Sequence, residues 1–284
     1  MKTADLSGLY EQRLVDYNGY NIATYRFGKG KQTVLCLPPF PHSGLAYIRF
    51  LECISPKELS FVTLDIPGWI GNSQNIFEHK KFRYDRMMEL LDFLVESLGL
   101  ETFTLMGYSF GTTLSVVLNE KYKERVDKVV LISPLLNGKN IHQDPGVEAL
   151  RLLRRYELYP VASLYTRVRF KQYSADLIKK GYPQYLIDLY SQMLATMSPH
   201  VELDSIYELF SSDFTKYIPP LKKKRTMILY GNDDMPAIQN EVIQLQALLP
   251  EALYRMFPGR HEGFLLRPEP SVINSVKEIG RAHV

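Results

Sequence analysis

Short runs of apolar residues recur along the chain and predict strands that are buried inside a sheet. The first two segments, 13–17 and 20–27, instead flank Asn18-Gly19, a residue pair that is preferred in type I′ hairpin turns. The later predicted strands are 33–37, 61–65, 102–106, 126–132, 226–230 and 253–257. Together with the hairpin, these segments predict a sheet of eight strands.

Apolar residues at helical spacing fill most of the intervals between these strands. The clearest case runs from Tyr84 to Leu98, and Gly99 ends that helix. Further helices are predicted at 45–53, 112–118, 237–249 and 268–279. Strand and helix therefore alternate from residue 33 onward, which is typical of a mostly parallel sheet with helices on both faces.

The alternation stops between residues 138 and 218, where no convincing strand is found. Helices are predicted there at 147–158, 160–172, 174–180 and 184–197. The many tyrosines of this segment are expected to serve mainly in packing. The pattern predicts an α/β core formed by residues 1–137 and 219–284, and a helical insertion, 138–218, that caps the carboxyl-terminal edge of the sheet.

Composition narrows the class of protein. The hydrophobic fraction of 45% and the charged fraction of 23% are those of an ordinary globular protein. A formal charge of +3 is too small to predict a nucleic-acid or anionic-membrane partner, and the basic run 222–225 is interpreted as a solvated surface loop. Cys36 and Cys53 are too few for a disulfide framework, and Cys36 is expected to be a buried thiol.

No signal-peptide core is found at the start of the chain, and no apolar run is long enough to span a bilayer. We therefore expect a soluble, cytoplasmic protein without membrane insertion. Glycine-rich phosphate loops and Cys/His clusters are also missing from the sequence, so that neither a cofactor nor a metal is expected. Four histidines without a predicted partner are assigned surface roles: His79, His142, His200 and His283.

One serine lies between a predicted strand and a predicted helix. The segment Gly107-Tyr108-Ser109-Phe110-Gly111 has the pattern G-x-S-x-G, in which a strained turn exposes the serine hydroxyl above the sheet. Glycines flank the serine because a Cβ would crowd the crossing from strand to helix. The N-terminus of the following helix offers N–H groups to a developing anion. Ser109 is therefore a candidate nucleophile.

A serine hydroxyl needs a base to accept its proton, and the base needs a third group to orient it. Two late strands end in loops that carry such groups, and loops at the carboxyl ends of parallel strands meet at one edge of a sheet. The first loop carries Asp233 and Asp234, both candidates for the acid, and the second carries His261. The chain order Ser, Asp, His suits a catalytic triad. His42 also lies in a loop after a strand, but it is interpreted as a solvated loop residue.

Together these motifs resemble those of the α/β-hydrolase fold superfamily, in the form that carries a helical cap. Gly107–Gly111 resembles the nucleophile elbow, and residues 65–73 resemble the stretch D-x-P-G-x-G-x-S with one residue inserted before the serine. The segment Gly231–Asp234 resembles the acid loop G-x-x-D, and His261 resembles the base. The similarity runs from about residue 12 to 280, apart from the insertion.

The resemblance implies a role for each of these residues. Ser109 would attack the substrate, His261 would shuttle the proton, and the acid would be Asp234 rather than Asp233. The backbone N–H groups of Phe40 and Phe110 would form the oxyanion hole. The chain has Pro38-Pro39 where family members usually have His-Gly, but the N–H of Phe40 is retained because Phe40 is not proline.

Three classes of function follow. We expect first a serine hydrolase that cleaves a small-to-medium, partly apolar carboxylic ester or related acyl substrate through an acyl-enzyme on Ser109. The same site could serve an acyltransferase or a C–C bond hydrolase, whereas a nucleophilic aspartate is excluded by Ser109. The third class is a non-enzymatic ligand-binding protein of the same fold, which the retained Ser109, Asp234 and His261 argue against. The expected partner is a small-molecule acyl substrate.

Overall fold

The computed structural model describes residues 9–54, 57, 59–77, 82–141, 145–179, 184, 187–188, 191, 196–261, 263–266 and 268–280. The strands are β1 (Glu11–Tyr17), β2 (Tyr20–Phe27), β3 (Gln32–Leu37), β4 (Leu59–Leu64), β5 (Phe103–Tyr108), β6 (Val126–Ile132), β7 (Arg225–Gly231) and β8 (Leu253–Phe257). The described α-helices are α1 (Ile48–Glu52), α2 (Tyr84–Ser97), α3 (Phe110–Lys121), α4 (Pro145–Arg155), α5 (Tyr159–Lys179), α6 (Pro199–Ser211), α7 (Pro236–Leu248), α8 (Gly263–Leu266) and α9 (Pro270–Gly280).

The eight strands form one sheet in the order β1-β2-β4-β3-β5-β6-β7-β8. β1 pairs with β2, and β2 with β4, in antiparallel fashion, whereas the other pairings are parallel. The predicted hairpin turn is confirmed, because Asn18 and Gly19 both have positive φ angles, 54° and 85°. The predicted mostly parallel sheet of eight strands is therefore confirmed.

Helices cover both faces of this sheet because successive side chains of a buried strand point to opposite faces. On β5, Leu105 packs into a core with α2, α3 and α7, whereas Met106 packs into a second core with α1 and α9. On β3, Leu35 and Cys36 divide between the same two cores. The burial predicted for the Cys36 thiol is confirmed. β3, β5 and β6 lie next to one another in the sheet, and the segments that carry Phe40, Ser109 and Ser133 follow their carboxyl ends.

The segment between β6 and β7 is helical where the structure describes it, but its helices differ from the predicted ones. The predicted break near residue 173 is wrong, because α5 continues from Tyr159 to Lys179. Helix α6 was not predicted. Ser198 caps α6 through its side chain, and Pro199 occupies its first turn. Most of the predicted helix 184–197 lies outside the described residues. Within that range, the described residues 184, 187–188 and 191 are helical.

The two ends of this segment are joined beside the sheet. Asn137 forms a β-bridge with Asp213, the N–H of Gly138 donates to Ser212 O at 3.1 Å, and that of Phe214 donates to Leu136 O at 2.8 Å. The segment therefore leaves and re-enters the α/β core at one place.

The basic run 222–225 is mostly exposed to solvent. Lys222, Lys223 and Arg225 of the basic run are exposed, as predicted. Lys224 is instead half-buried, because its Nζ donates to the carbonyl oxygen of Val126 at 2.7 Å. Within the ranges described above, every helix is too short or too polar to cross a bilayer.

Candidate active site

Ser109 lies on a strained turn between β5 and α3. Its φ and ψ angles are 51° and −117°, an arrangement that is unusual for a residue with a side chain. The turn is held because the N–H of Ser109 donates to Ile132 O at 2.9 Å, and Thr112 N–H donates to Ser109 O at 2.9 Å. Ser109 is buried apart from 9% of its surface. The backbone thus presents its side chain at the start of α3.

The two glycines of the motif are required by close backbone contacts. A Cβ on Gly107 would lie 2.3 Å from the carbonyl oxygen of Gly111. A Cβ on Gly111 would lie 2.2 Å from the carbonyl oxygen of Leu37, the last residue of β3. Both distances are well below any tolerated contact. The loop after β3 therefore runs directly against the start of α3, where Ser109 lies.

Asp234 and His261 are brought together from the loops after β7 and β8. His261 Nδ1 lies 3.1 Å from Asp234 Oδ1, within hydrogen-bond distance. The Asp234 side chain is fully buried, and that of His261 is 18% exposed. Adjacent Asp233 points away, because its Oδ2 lies 3.0 Å from Arg260 Nε and 71% of its side chain is exposed. Of the two candidate acids, Asp234 is the one in contact with the predicted base.

The Asp234 carboxylate is surrounded by hydrogen-bond donors. Ser133 Oγ donates to Oδ2 at 2.6 Å, and the N–H of Met235 donates to Oδ1 at 2.8 Å. Burial raises the pKa of Asp234, but the interactions with His261 and the hydrogen bonds from Ser133 and Met235 together outweigh it, and the net pKa is lowered. Asp234 is thus held ionised at neutral pH. Ser133 was not singled out in the sequence, because the adjacency of β6 and β7 is a property of the sheet order.

Tyr108 connects His261 to the turn that carries Ser109. Its ring stacks on the imidazole with 5.2 Å between centroids and 27° between planes. Its hydroxyl also donates a hydrogen bond to the carbonyl oxygen of His261. Because Tyr108 directly precedes Ser109, these two contacts tie His261 to the turn that carries the predicted nucleophile. The sequence predicted no role for Tyr108.

Phe40 and Phe110 were predicted to supply the oxyanion-binding N–H groups. Phe110 is the first residue of α3, where a backbone N–H has no partner within the helix. Among the described residues, neither of the two N–H groups donates to another protein group. Two donors are therefore available at the start of α3 and in the adjacent loop after β3, as a site for an oxyanion requires.

A buried carboxylate ties the loop after β3 to the loop after β4. Asp65 accepts hydrogen bonds from Tyr25 Oη at 2.5 Å, from the N–H of Gly44 at 2.9 Å and from the N–H of Asn72 at 2.6 Å. Ser43 Oγ donates to the same carboxylate. Burial raises the pKa of Asp65, and these hydrogen bonds oppose that effect. The path of the Phe40 loop is therefore fixed at its far end by Asp65.

A comparison with protein families supplies the family of this chain. Residues 32–268 match a family model described as the alpha/beta hydrolase fold. The chain belongs to the α/β-hydrolase fold family.

Curated relatives of this α/β hydrolase match part of its length. It is 28% identical over 136 residues to a 2-hydroxy-6-oxononadienedioate/2-hydroxy-6-oxononatrienedioate hydrolase from Escherichia coli, covering 47% of this chain and 46% of the relative. It is 30% identical over 129 residues to a hydrolase of the same name from Klebsiella pneumoniae, covering 44% of each chain. The chain thus spans about half the length of the curated relatives it matches.

Solved structures match nearly the whole α/β hydrolase. A bromoperoxidase from Bacillus anthracis superposes with a TM-score of 0.72 at 18% identity, covering 95% of this chain and 99% of the other. At this identity the match shows the fold alone.

His42 was expected to be a solvated loop residue, but in this α/β hydrolase it is half-buried. Its ring Nδ1 has no contact with solvent, and its backbone N–H donates to the carbonyl oxygen of Pro39 at 2.8 Å. Burial, followed by the charge of His261, lowers the pKa of His42 to about 4. A neutral second imidazole therefore belongs to the surroundings of His261. The sequence of the proline-rich loop did not predict the burial of His42, because this burial depends on contacts with distant parts of the chain.

Of the four histidines that were assigned surface roles, the structure describes one. His200 is exposed, and its ring lies 4.0 Å from that of Tyr159 in the α/β hydrolase. His79, His142 and His283 lie outside the described residues. The described part of the chain contains no group of three or more His, Cys, Asp or Glu side chains that could hold a metal ion.

Proposed function

We propose that this α/β hydrolase is a serine hydrolase that cleaves a small-to-medium, partly apolar carboxylic ester or related acyl substrate. One observation carries the proposal: the buried Asp234 contacts His261, which Tyr108 holds beside the strained turn of Ser109. This arrangement fits a nucleophile, a base and an orienting acid.

The proposed reaction proceeds in two steps. Ser109 Oγ attacks the ester carbonyl carbon while His261 Nε2 takes the hydroxyl proton, and the N–H groups of Phe40 and Phe110 stabilise the oxyanion. The bond to the alcohol oxygen breaks, and the alcohol leaves with the proton from His261. Water then attacks the acyl-enzyme with His261 as base, which releases the carboxylic acid and restores Ser109. Throughout, Asp234 orients the imidazole through Nδ1.

The proposed oxyanion hole is backed by buried aromatic rings, which supports an apolar substrate. The Phe110 ring is surrounded by Trp69, Phe82 and Tyr84, with centroids 5.0, 6.5 and 6.4 Å away. These rings carry no charge. A substrate held at these N–H groups would therefore lie against an apolar part of the core, and each CH₂ that leaves water contributes about 0.8 kcal/mol.

We also propose that the insertion 138–218 is a cap that roofs this site above the core 1–137 and 219–284. The contacts of its last part with the loop after β4 support this assignment. Ser198 N–H donates to Gly68 O at 2.8 Å, and a Cβ on Gly68 would lie 2.6 Å from Val201 Cγ2. A roofed pocket limits the size of the substrate.

The names of the curated relatives favour a second candidate, a C–C bond hydrolase. Their named substrates are dicarboxylates with a keto group, and water would be added across a C–C bond next to that group. A dicarboxylate needs cationic partners in a site that excludes water. The described rings around Phe110 supply none, so that the ester remains the first candidate.

Two experiments test the proposal. A fluorophosphonate probe is expected to label the folded wild type at Ser109 and to leave Ser109→Ala unlabelled, as peptide mapping would show. Initial rates are then compared for p-nitrophenyl butyrate and for a 2-hydroxy-6-oxo-dienedioate. Faster turnover of the ester supports the first candidate, and faster turnover of the dienedioate replaces it with the second. A wild type that is not labelled would refute both.

A further inference from the structure

Trp69 lies between the residues of the proposed oxyanion hole and the insertion. Its ring packs edge-on against Phe40, with 5.2 Å between centroids and 90° between planes. It packs in the same way against Phe110, at 5.0 Å and 86°. Its Nε1–H donates to Ser205 Oγ of α6 at 2.9 Å. One side chain thus contacts both predicted oxyanion residues and one helix of the insertion.

The indole is held firmly because both partners of its hydrogen bond are buried. Trp69 is 2% exposed and Ser205 is fully buried. A buried indole N–H that loses its acceptor is left unsatisfied, which is unfavourable. The orientation of the Trp69 ring therefore follows the position of Ser205.

Hydrogen bonds from backbone N–H groups also join the segment between β4 and α2, which carries Trp69, to side chains of the insertion. Gly71 N–H donates to Thr196 Oγ1 at 3.1 Å, and Phe82 N–H donates to Asp204 Oδ2 at 3.2 Å. Asp204 neighbours Ser205 in α6. A displacement of α6 would therefore move the surroundings of Trp69 together with its hydrogen-bond acceptor.

We propose that Trp69 is a positioning residue that makes the alignment of the Phe40 and Phe110 N–H donors depend on the position of α6. This inference rests on the proposed function, because the two donors matter only if an oxyanion forms between them. Donors in an oxyanion hole must lie within a few tenths of an ångström of their productive positions. Trp69 packs against the side-chain rings of both Phe40 and Phe110. Through these rings it restrains the two residues whose backbone N–H groups are the proposed donors.

The proposal predicts how Ser205→Ala changes the kinetics of the wild-type enzyme. Oxyanion donors act mainly in the transition state, so kcat should fall about tenfold while KM changes by less than about twofold. The matched control is Ser60→Ala. Ser60 is also buried, and its Oγ accepts a side-chain hydrogen bond from Arg26 Nη1 at 2.8 Å. It lies near the start of β4, whereas the loop that carries Trp69 follows the end of that strand. Ser60→Ala should keep the wild-type kcat.

A double variant tests whether Trp69 and Ser205 act together. Trp69→Phe retains a ring but removes the indole N–H. If the hydrogen bond carries the effect, adding Ser205→Ala to Trp69→Phe should lower kcat no further. Fully multiplicative losses, or losses in KM alone, would overturn the proposal.

A spectroscopic measurement remains informative if an alanine variant folds poorly. Trp69 is the sole tryptophan, so the indole ¹H–¹⁵N resonance of the wild type reports on it alone. Phosphonylation of Ser109 places a tetrahedral oxyanion mimic in the site and should shift this resonance. An unchanged resonance after complete labelling would overturn the role of Trp69.

The rate of labelling separates this inference from the proposed function. Phosphonylation of Ser109 needs the oxyanion hole but no ester substrate, and Ser205→Ala should slow it about tenfold relative to Ser60→Ala. A wild type that is not labelled would refute the proposed function. A wild type that is labelled, with Ser205→Ala equally fast, would refute only the role of Trp69.

Discussion

Ser133 Oγ donates a 2.6 Å hydrogen bond to Oδ2 of Asp234, the carboxylate oxygen opposite the one that faces His261. Ser133 follows β6 directly and has a positive φ angle of 44°, which turns the chain at the end of that strand. Its hydroxyl is fully buried. The position of the Asp234 carboxylate is therefore determined by two side chains from two different loops.

Removal of this hydrogen bond should reduce activity without abolishing it. In Ser133→Ala we expect kcat to fall by about tenfold, since a hydrogen bond to a charged group contributes about 1.5–3 kcal/mol. The Ser133 hydrogen bond lowers the pKa of Asp234, so its loss should raise that pKa. Steady-state kinetics of the purified variant on one ester would check this fall in kcat. Ser275→Ala, a buried serine that donates within α9, is the control. A kcat of Ser133→Ala equal to that of the control would contradict this role.

The two adjacent acids should differ sharply in their effect on catalysis. Asp234→Asn should lower kcat by about 10⁴-fold, because the amide cannot hold the required imidazole tautomer. Asp233→Asn should be nearly normal, because Asp233 is exposed and pairs with Arg260. Steady-state kinetics of the two purified variants on one ester would check this. A severe loss in Asp233→Asn alone would mean that the acid is the other residue.

The strands and the strained turn could be predicted because their signals are local. Apolar runs identify buried strands, and Gly107 and Gly111 are required by contacts within the elbow and with the neighbouring loop. Ser133 and His42 could not be assigned in this way. Their roles depend on which strands are neighbours and on what covers a loop, and neither is encoded in a nearby pattern.

The helices of the insertion illustrate a second limit. α5 exposes large apolar side chains, including Val161, Leu164 and Val168, so its sequence lacks a clean division into apolar and polar faces. That explains why one helix was predicted as two. α6 did carry a usable signal, because Ser198-Pro199 followed by Glu202 is a typical helix start.

Glu241 is a buried carboxyl group where the insertion joins the core. Its Oε2 accepts hydrogen bonds from the N–H of Asn137 at 3.2 Å and from Asn140 Nδ2 at 2.7 Å. Burial raises the pKa of Glu241 to about 7, although these hydrogen bonds oppose the effect. Ionisation of Glu241 is therefore costly in the folded state.

The raised pKa makes the stability of the protein depend on pH. Between an unfolded pKa of 4.5 and a folded pKa of about 7, the folded state binds more protons, so its stability falls as pH rises. This group alone would remove at most about 3 kcal/mol of unfolding free energy across that window. Urea unfolding at pH 5 and pH 8 should show a smaller loss in Glu241→Gln than in the wild type. Glu251→Gln, at an exposed position, is the control. Equal losses in wild type and Glu241→Gln would contradict the assignment.

The proposed cap bears most directly on substrate choice. If the insertion roofs an apolar pocket above Ser109, each further CH₂ of the acyl chain should improve kcat/KM until the pocket is full, by up to about 0.8 kcal/mol per group. We therefore expect kcat/KM for p-nitrophenyl esters to rise from acetate to a short or medium chain and then to fall towards palmitate. The fall would come from exclusion of the longer chain, because the end of the insertion is tied to the loop after β4 by Ser198 and Gly68. A steady rise to palmitate, with activation at an oil–water interface, would indicate an open groove instead. In that case the assignment of residues 138–218 as a roof would be wrong, while the roles of Ser109 and His261 would still stand.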